Sequence, residues 1–153
     1  MLDTEQTFVM IKPDGIQRRL TGEIISRFEK KGLKISAMKM LVISREMAEQ
    51  HYSEHKGKAF YESLIDFIIS GPVIAFILEG PGAISIVRKL VGATDPANAE
   101  PGSIRGDHVI FTTYNIIHAS DSANSSKSEI SLFFKKEEIH NYYLEIEKYL
   151  FSS

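Results

Sequence analysis

The run Val73-Ile74-Ala75-Phe76-Ile77-Leu78 is apolar at every position, and Gly71-Pro72 stands directly before it. Successive residues of a strand face opposite sides, so this run predicts a strand buried on both faces, at the centre of a sheet. Gly71-Pro72 ends the element in front of it, a helix in which Phe60, Leu64, Phe67 and Ile68 recur at helical spacing. The run is also the longest apolar stretch in the chain, far short of the ~20 residues that a membrane-spanning helix needs.

The remaining elements can be placed around this strand. Thr7–Ile11 reads as a second buried strand, with Lys12-Pro13-Asp14-Gly15 as the turn that ends it. Thr21 is placed as the N-cap of a helix carrying Ile24, Ile25 and Phe28, and Gly32 as its stop. Leu33–Ile43 suggests a strand, and Ser44 a cap for a short helix with Met47, His51, Tyr52 and His55. Ile84, Val87, Arg88 and Val91 form a further helix ending at Gly92.

Between Gly92 and Asn115 the pattern dissolves into Gly, Pro, Asn, Asp and Thr, and a loop of that length is usually functional. Asn115–His118 resumes as a short strand, and Ser120-Asp121-Ser122 offers N-cap chemistry to a helix reaching about Phe134. A tail with Tyr142, Tyr143, Tyr149 and Phe151 follows. No repeat or linker appears, which predicts one domain over residues 1–153, with alternating strands and helices and an antiparallel sheet.

Composition removes several functional classes. There is no cysteine, so disulfides, thiolate nucleophiles and Cys-based zinc sites are excluded. The net charge of −2 gives no overall pull toward nucleic acid or an anionic membrane, so polyanion binding would need a local cluster of cations. The start, Met1-Leu2-Asp3-Thr4-Glu5-Gln6, is acidic and polar rather than a signal peptide, and a cytoplasmic protein is expected.

Three separated stretches matter together: Phe8-Val9-Met10-Ile11-Lys12-Pro13-Asp14-Gly15, Gly71-Pro72-Val73, and Asn115-Ile116-Ile117-His118-Ala119-Ser120-Asp121-Ser122. They resemble the nucleoside diphosphate kinase family, whose signature is Asn-x-x-His-x-Ser-Asp around its catalytic histidine. Gly22-Glu23-Ile24, Val91-Gly92-Ala93-Thr94 and Gly102-Ser103-Ile104-Arg105-Gly106-Asp107 extend the resemblance over nearly the whole chain. It implies an α+β, ferredoxin-like fold, with a four-stranded antiparallel sheet flanked by helices. It also implies transfer of a γ-phosphoryl group from a nucleoside triphosphate to a nucleoside diphosphate, in two steps through a phosphohistidine.

The resemblance assigns that phosphohistidine to His118. Glu129 orients the imidazole, with Ser120 and Tyr52 beside the pair. Lys12, Arg88 and Arg105 resemble phosphate-contacting cations, and Thr94 a hydroxyl donor to the phosphates. Asn115 and Lys12 match groups near the ribose hydroxyl, and Phe60 and Leu64 an apolar clamp on the base. Read without the resemblance, Phe60 and Leu64 fit a core stripe equally well. Mg²⁺ is implied as a bridge between nucleotide phosphates, with no protein ligand assigned to it. The family's oligomers make a homohexamer the expected assembly.

The sequence departs from the family at Thr113-Tyr114, where Gly-Arg is usual, and at Ala119 and Arg19, where glycine is common; Lys58 replaces a frequent arginine. None of these removes a catalytic group. His51-Tyr52-Ser53-Glu54-His55 matches the zinc-peptidase spacing H-x-x-E-H but lacks an evident third ligand, and is read as surface histidines. No G-x-x-x-x-G-K-[ST] loop is present. An RNA-binding module would need basic and aromatic residues in the RNP1 pattern, which is missing. A catalytically silent relative serving in assembly or regulation is the remaining alternative.

Overall fold

The computed structural model describes residues 4–151. Met1–Asp3, part of the stretch read as no signal peptide, lie outside the described residues. Four strands, β1 (Thr4–Ile11), β2 (Lys34–Leu41), β3 (Val73–Pro81) and β4 (Ile117–Ala119), form one sheet in the order β2-β3-β1-β4, antiparallel throughout. β3 is central, as its apolar run requires. Val9 pairs with Phe76 and Met10 with Ala75 across the β1–β3 ladder.

Alternation along these strands divides the apolar residues between two cores. Val9, Ile11, Ile74, Phe76 and Leu78 face one side, under α2 (Thr21–Lys31) and α5 (Ala83–Val91), which contribute Ile24, Phe28, Val87 and Val91. Phe8, Met10, Val73, Ala75 and Ile77 face the other. There α3 (Arg45–His51), α4 (Tyr61–Ile68) and α7 (Ala123–Phe133) supply Ala48, Tyr61, Ile65, Ile68 and Phe133. This is the α+β, ferredoxin-like arrangement, with helices on both faces of the sheet. Among the described residues, no helix is long and apolar enough to cross a membrane.

Local chemistry explains most element ends. Ser44 Oγ accepts from Met47 N–H at 3.1 Å, and Gly32 ends α2 with φ of 105°, a value that favours glycine. Other ends differ from the sequence reading. Lys12–Gly15 is no simple turn: Pro13 opens a short helix, α1 (Pro13–Gln17), where its missing N–H costs nothing. Thr21 is the first residue of α2 rather than its cap, because the Leu20 carbonyl already accepts from Ile24 N–H at 2.9 Å. The long loop contains two 3₁₀ turns, Pro96–Asn98 and Thr112–Tyr114, and a helix, α6 (Ile104–His108), capped by Ser103 Oγ. Such short elements show no hydrophobic period. After α7 the chain returns along β2, where His140 N–H donates to Ser36 O at 2.8 Å, and ends in α8 (Glu147–Leu150).

Arg19, exposed between α1 and α2, has φ of 59°, in the left-handed region. Glycine, common there in the family the sequence resembles, adopts this backbone without strain, so Arg19 is a departure that carries a conformational cost. Relief of the left-handed strain, about 1–2 kcal/mol, slightly exceeds the entropy that glycine adds to the unfolded chain. Arg19→Gly is therefore expected to raise the unfolding free energy by up to about 1 kcal/mol in denaturant titration. A loss of stability would contradict this account of the turn.

Candidate active site

The end of β1, the α4 face, the C-terminal end of α5, the long loop and β4 surround a cleft of about 760 Å³. Cavities of about 410 and 480 Å³ lie elsewhere, beside the C-terminal tail. Every site residue named from the sequence lines the cleft except Ser120, which is buried one layer behind it.

His118 pairs with Met10 in the β1–β4 ladder, which directs its side chain toward α3 and α7. Its Nε2 lies 2.5 Å from Glu129 Oε2, and Ser120 Oγ donates to Glu129 Oε1 at 2.6 Å. An ionised carboxylate only accepts, so Nε2 carries the ring proton and Nδ1 keeps its lone pair. Nδ1 has no hydrogen-bond partner among the described residues. Ser122 Oγ, which accepts from Ser125 N–H at 3.1 Å, caps the helix that carries Glu129.

The backbone just before His118 is held against its own preference. Ile116 is fully buried with φ of 61°, a strained value for a β-branched residue. Its N–H donates to Asp14 Oδ2 at 3.0 Å, and its carbonyl accepts from Lys12 N–H at 2.9 Å. Gly15 makes the approach possible, since a Cβ there would sit 2.8 Å from the Ile116 carbonyl oxygen. Asp14 was not among the sequence candidates, and only this long-range contact reveals it.

Three cations converge. Lys12 Nζ donates to Asn115 Oδ1 at 2.8 Å. Arg88 Nη1 donates to the Ala119 carbonyl at 3.1 Å. Arg105, 3% exposed, donates to the carbonyls of Asn115, Gly92 and Ile117 and so ties the loop to β4. Burial, then the neighbouring Arg105, lowers Lys12 to about 8; burial, then Arg88, lowers Arg105 to about 10. Like charges gathered this way favour an arriving anion.

An apolar wall of the cleft runs along α4. Tyr61, Ile65 and Ile68 face the core, whereas Phe60 is 50% exposed and, with Leu64 and Phe67, lines the cleft. Tyr114, at the position where the sequence departs from the family, meets Phe67 edge-on at 5.2 Å between centroids.

The H-x-x-E-H residues do not share a helix face. His51 ends α3, while Glu54 and His55 belong to a 3₁₀ turn. Nor is His51 a surface histidine, because its side chain is 2% exposed and its ring lies 4.7 Å from that of His118. His51, His118 and Glu129 are the one group of potential metal ligands found among the described residues. The direct His118–Glu129 hydrogen bond already occupies that space, and Lys12 lies close enough to raise the potential there, so the group reads as a hydrogen-bonded pair with His51 packed beside it rather than a metal site.

A sequence model described as nucleoside diphosphate kinase matches residues 5–139. The nucleoside diphosphate kinase of Archaeoglobus fulgidus is 60% identical over 138 residues, covering 90% of this chain and 91% of its own length. A Halobacterium salinarum nucleoside diphosphate kinase solved with CDP superposes with a TM-score of 0.95 at 43% identity, covering 98% of this chain and 100% of that one. A Borrelia burgdorferi enzyme, solved as a transition-state mimic with vanadate and ADP, gives 0.90 at 40% identity, covering 96% and 98%. With the family model matching residues 5–139 and relatives at up to 60% identity over most of both chains, the chain belongs to the nucleoside diphosphate kinase family and is a phosphotransferase acting between nucleotides.

Proposed function

We propose that His118 carries the phosphoryl group between the two half-reactions. Its Nδ1 attacks the γ-phosphorus of a nucleoside triphosphate, and the diphosphate leaves. An incoming nucleoside diphosphate then takes the group from the ring. The observation that carries this reading is the Ser120–Glu129–His118 chain, which engages Nε2 and leaves Nδ1 without a partner among the described residues, on a ring that lines the cleft. The phosphoramidate is high in energy, so it transfers readily onward.

Charge on the non-bridging oxygens is met by Lys12, Arg88 and Arg105, with Thr94 as a hydroxyl donor. The Lys12–Asn115 hydrogen bond supports placing both at the ribose hydroxyl, beside the phosphates. Burial holds the Tyr52 phenol protonated, and its hydroxyl has no partner among the described residues, which suits a donor to a reacting group. Phe60 and Leu64 grip the base by stacking without reading its edge, and the CDP and ADP held by relatives are consistent with that tolerance.

Mg²⁺ fits as a companion of the nucleotide, because the cleft is cation-rich and its carboxylates besides Glu129 are only Glu54 and Asp121. Those two would hold its water shell, and the ion would neutralise phosphate charge. Both cores pack on one sheet, which supports a single catalytic domain over residues 1–153. A homohexamer is supported by Ile110 and Phe111, exposed at 82% and 75% on the long loop, and by Met38 and Met40 on the outer strand β2. A cytoplasmic location suits an enzyme whose substrates are free nucleotides.

Incubation with γ-labelled ATP and Mg²⁺ should leave acid-labile label on His118 that moves to dGDP or UDP. His118→Ala should remove labelling and transfer while retaining nucleotide binding; an active His118→Ala variant would sink the mechanism, and no label on the wild type would favour the silent relative. Phe60→Ala should weaken all nucleotides alike, by about 1–3 kcal/mol, and loss for one base alone would contradict the clamp. In the free protein Lys12 sheds its proton as pH rises through about 8, and a bound anion restores it. ADP binding at about pH 8.5 should therefore take up a proton, read by calorimetry in buffers of different ionisation enthalpy, and affinity should fall as pH rises further. Zero uptake would show that Lys12 does not face the phosphates.

A further inference from the structure

His51 is a buried histidine that packing alone does not explain. Both ring nitrogens lack a hydrogen-bond partner among the described residues, although the side chain is 2% exposed. An apolar side chain would fill the same space without an unpaired donor. The ring's placement is specific. Nδ1 lies 3.6 Å from Glu129 Oε2, and the ring stands edge-on to His118 at 85°. Phe8 and Phe133 close the other sides, with centroids at 6.4 and 5.4 Å.

Burial, then the charges of His118, Lys12 and His55, lowers His51 to about 2, so the ring is neutral at any working pH. It therefore has one N–H and one lone pair, and its approach to Glu129 is no ion pair. Glu129 accepts from Ser120 at one oxygen and from His118 at the other, and a carboxylate has room for a further donor.

We propose that His51 is a positioning residue for phosphoryl transfer: its Nδ1–H donates to Glu129 Oε2 and holds the carboxylate where it accepts from His118 Nε2–H. At 3.6 Å the contact is slightly long for a hydrogen bond, and catalytic contacts of this kind tighten in the reacting complex. No proton leaves His51 and no bond breaks there. Positive charge grows on the His118 ring as Nδ1 attacks phosphorus, and the restrained carboxylate meets it. A cation in the place of His51 would fix Glu129 but cancel its charge; a neutral donor fixes it and leaves the charge intact.

The inference rests on His118 as the phosphoryl acceptor, and the test separates the two. An Asn side chain places its N–H donor close to where a histidine places Nδ1, whereas Gln reaches farther, toward the position of Nε2. Single-turnover phosphorylation by γ-labelled ATP and Mg²⁺ is to be compared in wild type, His51→Phe, His51→Asn and His51→Gln, with melting temperatures followed in parallel. His51→Phe and His51→Gln should phosphorylate about tenfold more slowly with the ATP KM within about twofold, and His51→Asn should recover most of the rate. A folded His51→Phe at wild-type rate, equal slowing in Asn and Gln, or a change in KM alone would overturn the proposal. If His51→Phe does not fold, the Asn and Gln comparison decides. Absence of label on the wild type would overturn the phosphohistidine reading, and this inference with it.

Discussion

The pairing of Met10 with His118 across the β1–β4 ladder positions the rest of the cleft. Side chains alternate across a sheet, so this register sends His118 to the same face as Phe8 and Met10, where α3 and α7 can reach it. A slip of one residue would turn the imidazole to the opposite core, away from Glu129. The same ladder continues at Ser120, whose N–H donates to the Phe8 carbonyl at 3.0 Å while its hydroxyl serves Glu129. Sheet geometry and site geometry are thus set by the same few backbone bonds.

Around that register the protein holds several arrangements that oppose stability. Ile116 keeps a left-handed backbone, fixed by Asp14 and by the Lys12 amide. Lys12 and Arg105 lie buried near like charge, and both are held below their ordinary proton affinity. Such features persist where the surrounding structure over-determines them. Here the restraint comes from Arg105, whose three carbonyl contacts bind the loop and β4 together, and from two cores packed on either side of the sheet. Preorganised cations need no rearrangement when an anion arrives, which is how electrostatic stabilisation becomes effective.

α4 shows how one short helix can serve both core and cleft. Tyr61, Ile65 and Ile68 form its core stripe, and the adjacent stripe of Phe60, Leu64 and Phe67 stays open to the cleft. Tyr114 extends that open wall by meeting Phe67, at a place where the chain differs from the usual family sequence. Periodicity locates such a helix but leaves two neighbouring stripes to choose between, because both are apolar.

By itself the sequence determined the central strand, from an apolar run with no polar face, and the ends of several helices, from Gly32, Ser44 and Gly71-Pro72. It also supplied the Asn115–Ser120 spacing and the cations that gather in the cleft. These features are legible because each depends on the chemistry of a few adjacent residues. Tertiary structure alone decided that Pro13 starts a helix, that α6 forms inside the long loop, and that Phe60 and Leu64 line the cleft, Leu64 while also packing against the core. It also decided that His51 is buried against the His118–Glu129 pair, and that Asp14 holds Ile116 from across the chain. Each of these depends on contacts between residues far apart in sequence, whose local patterns fit surface, core and turn equally well.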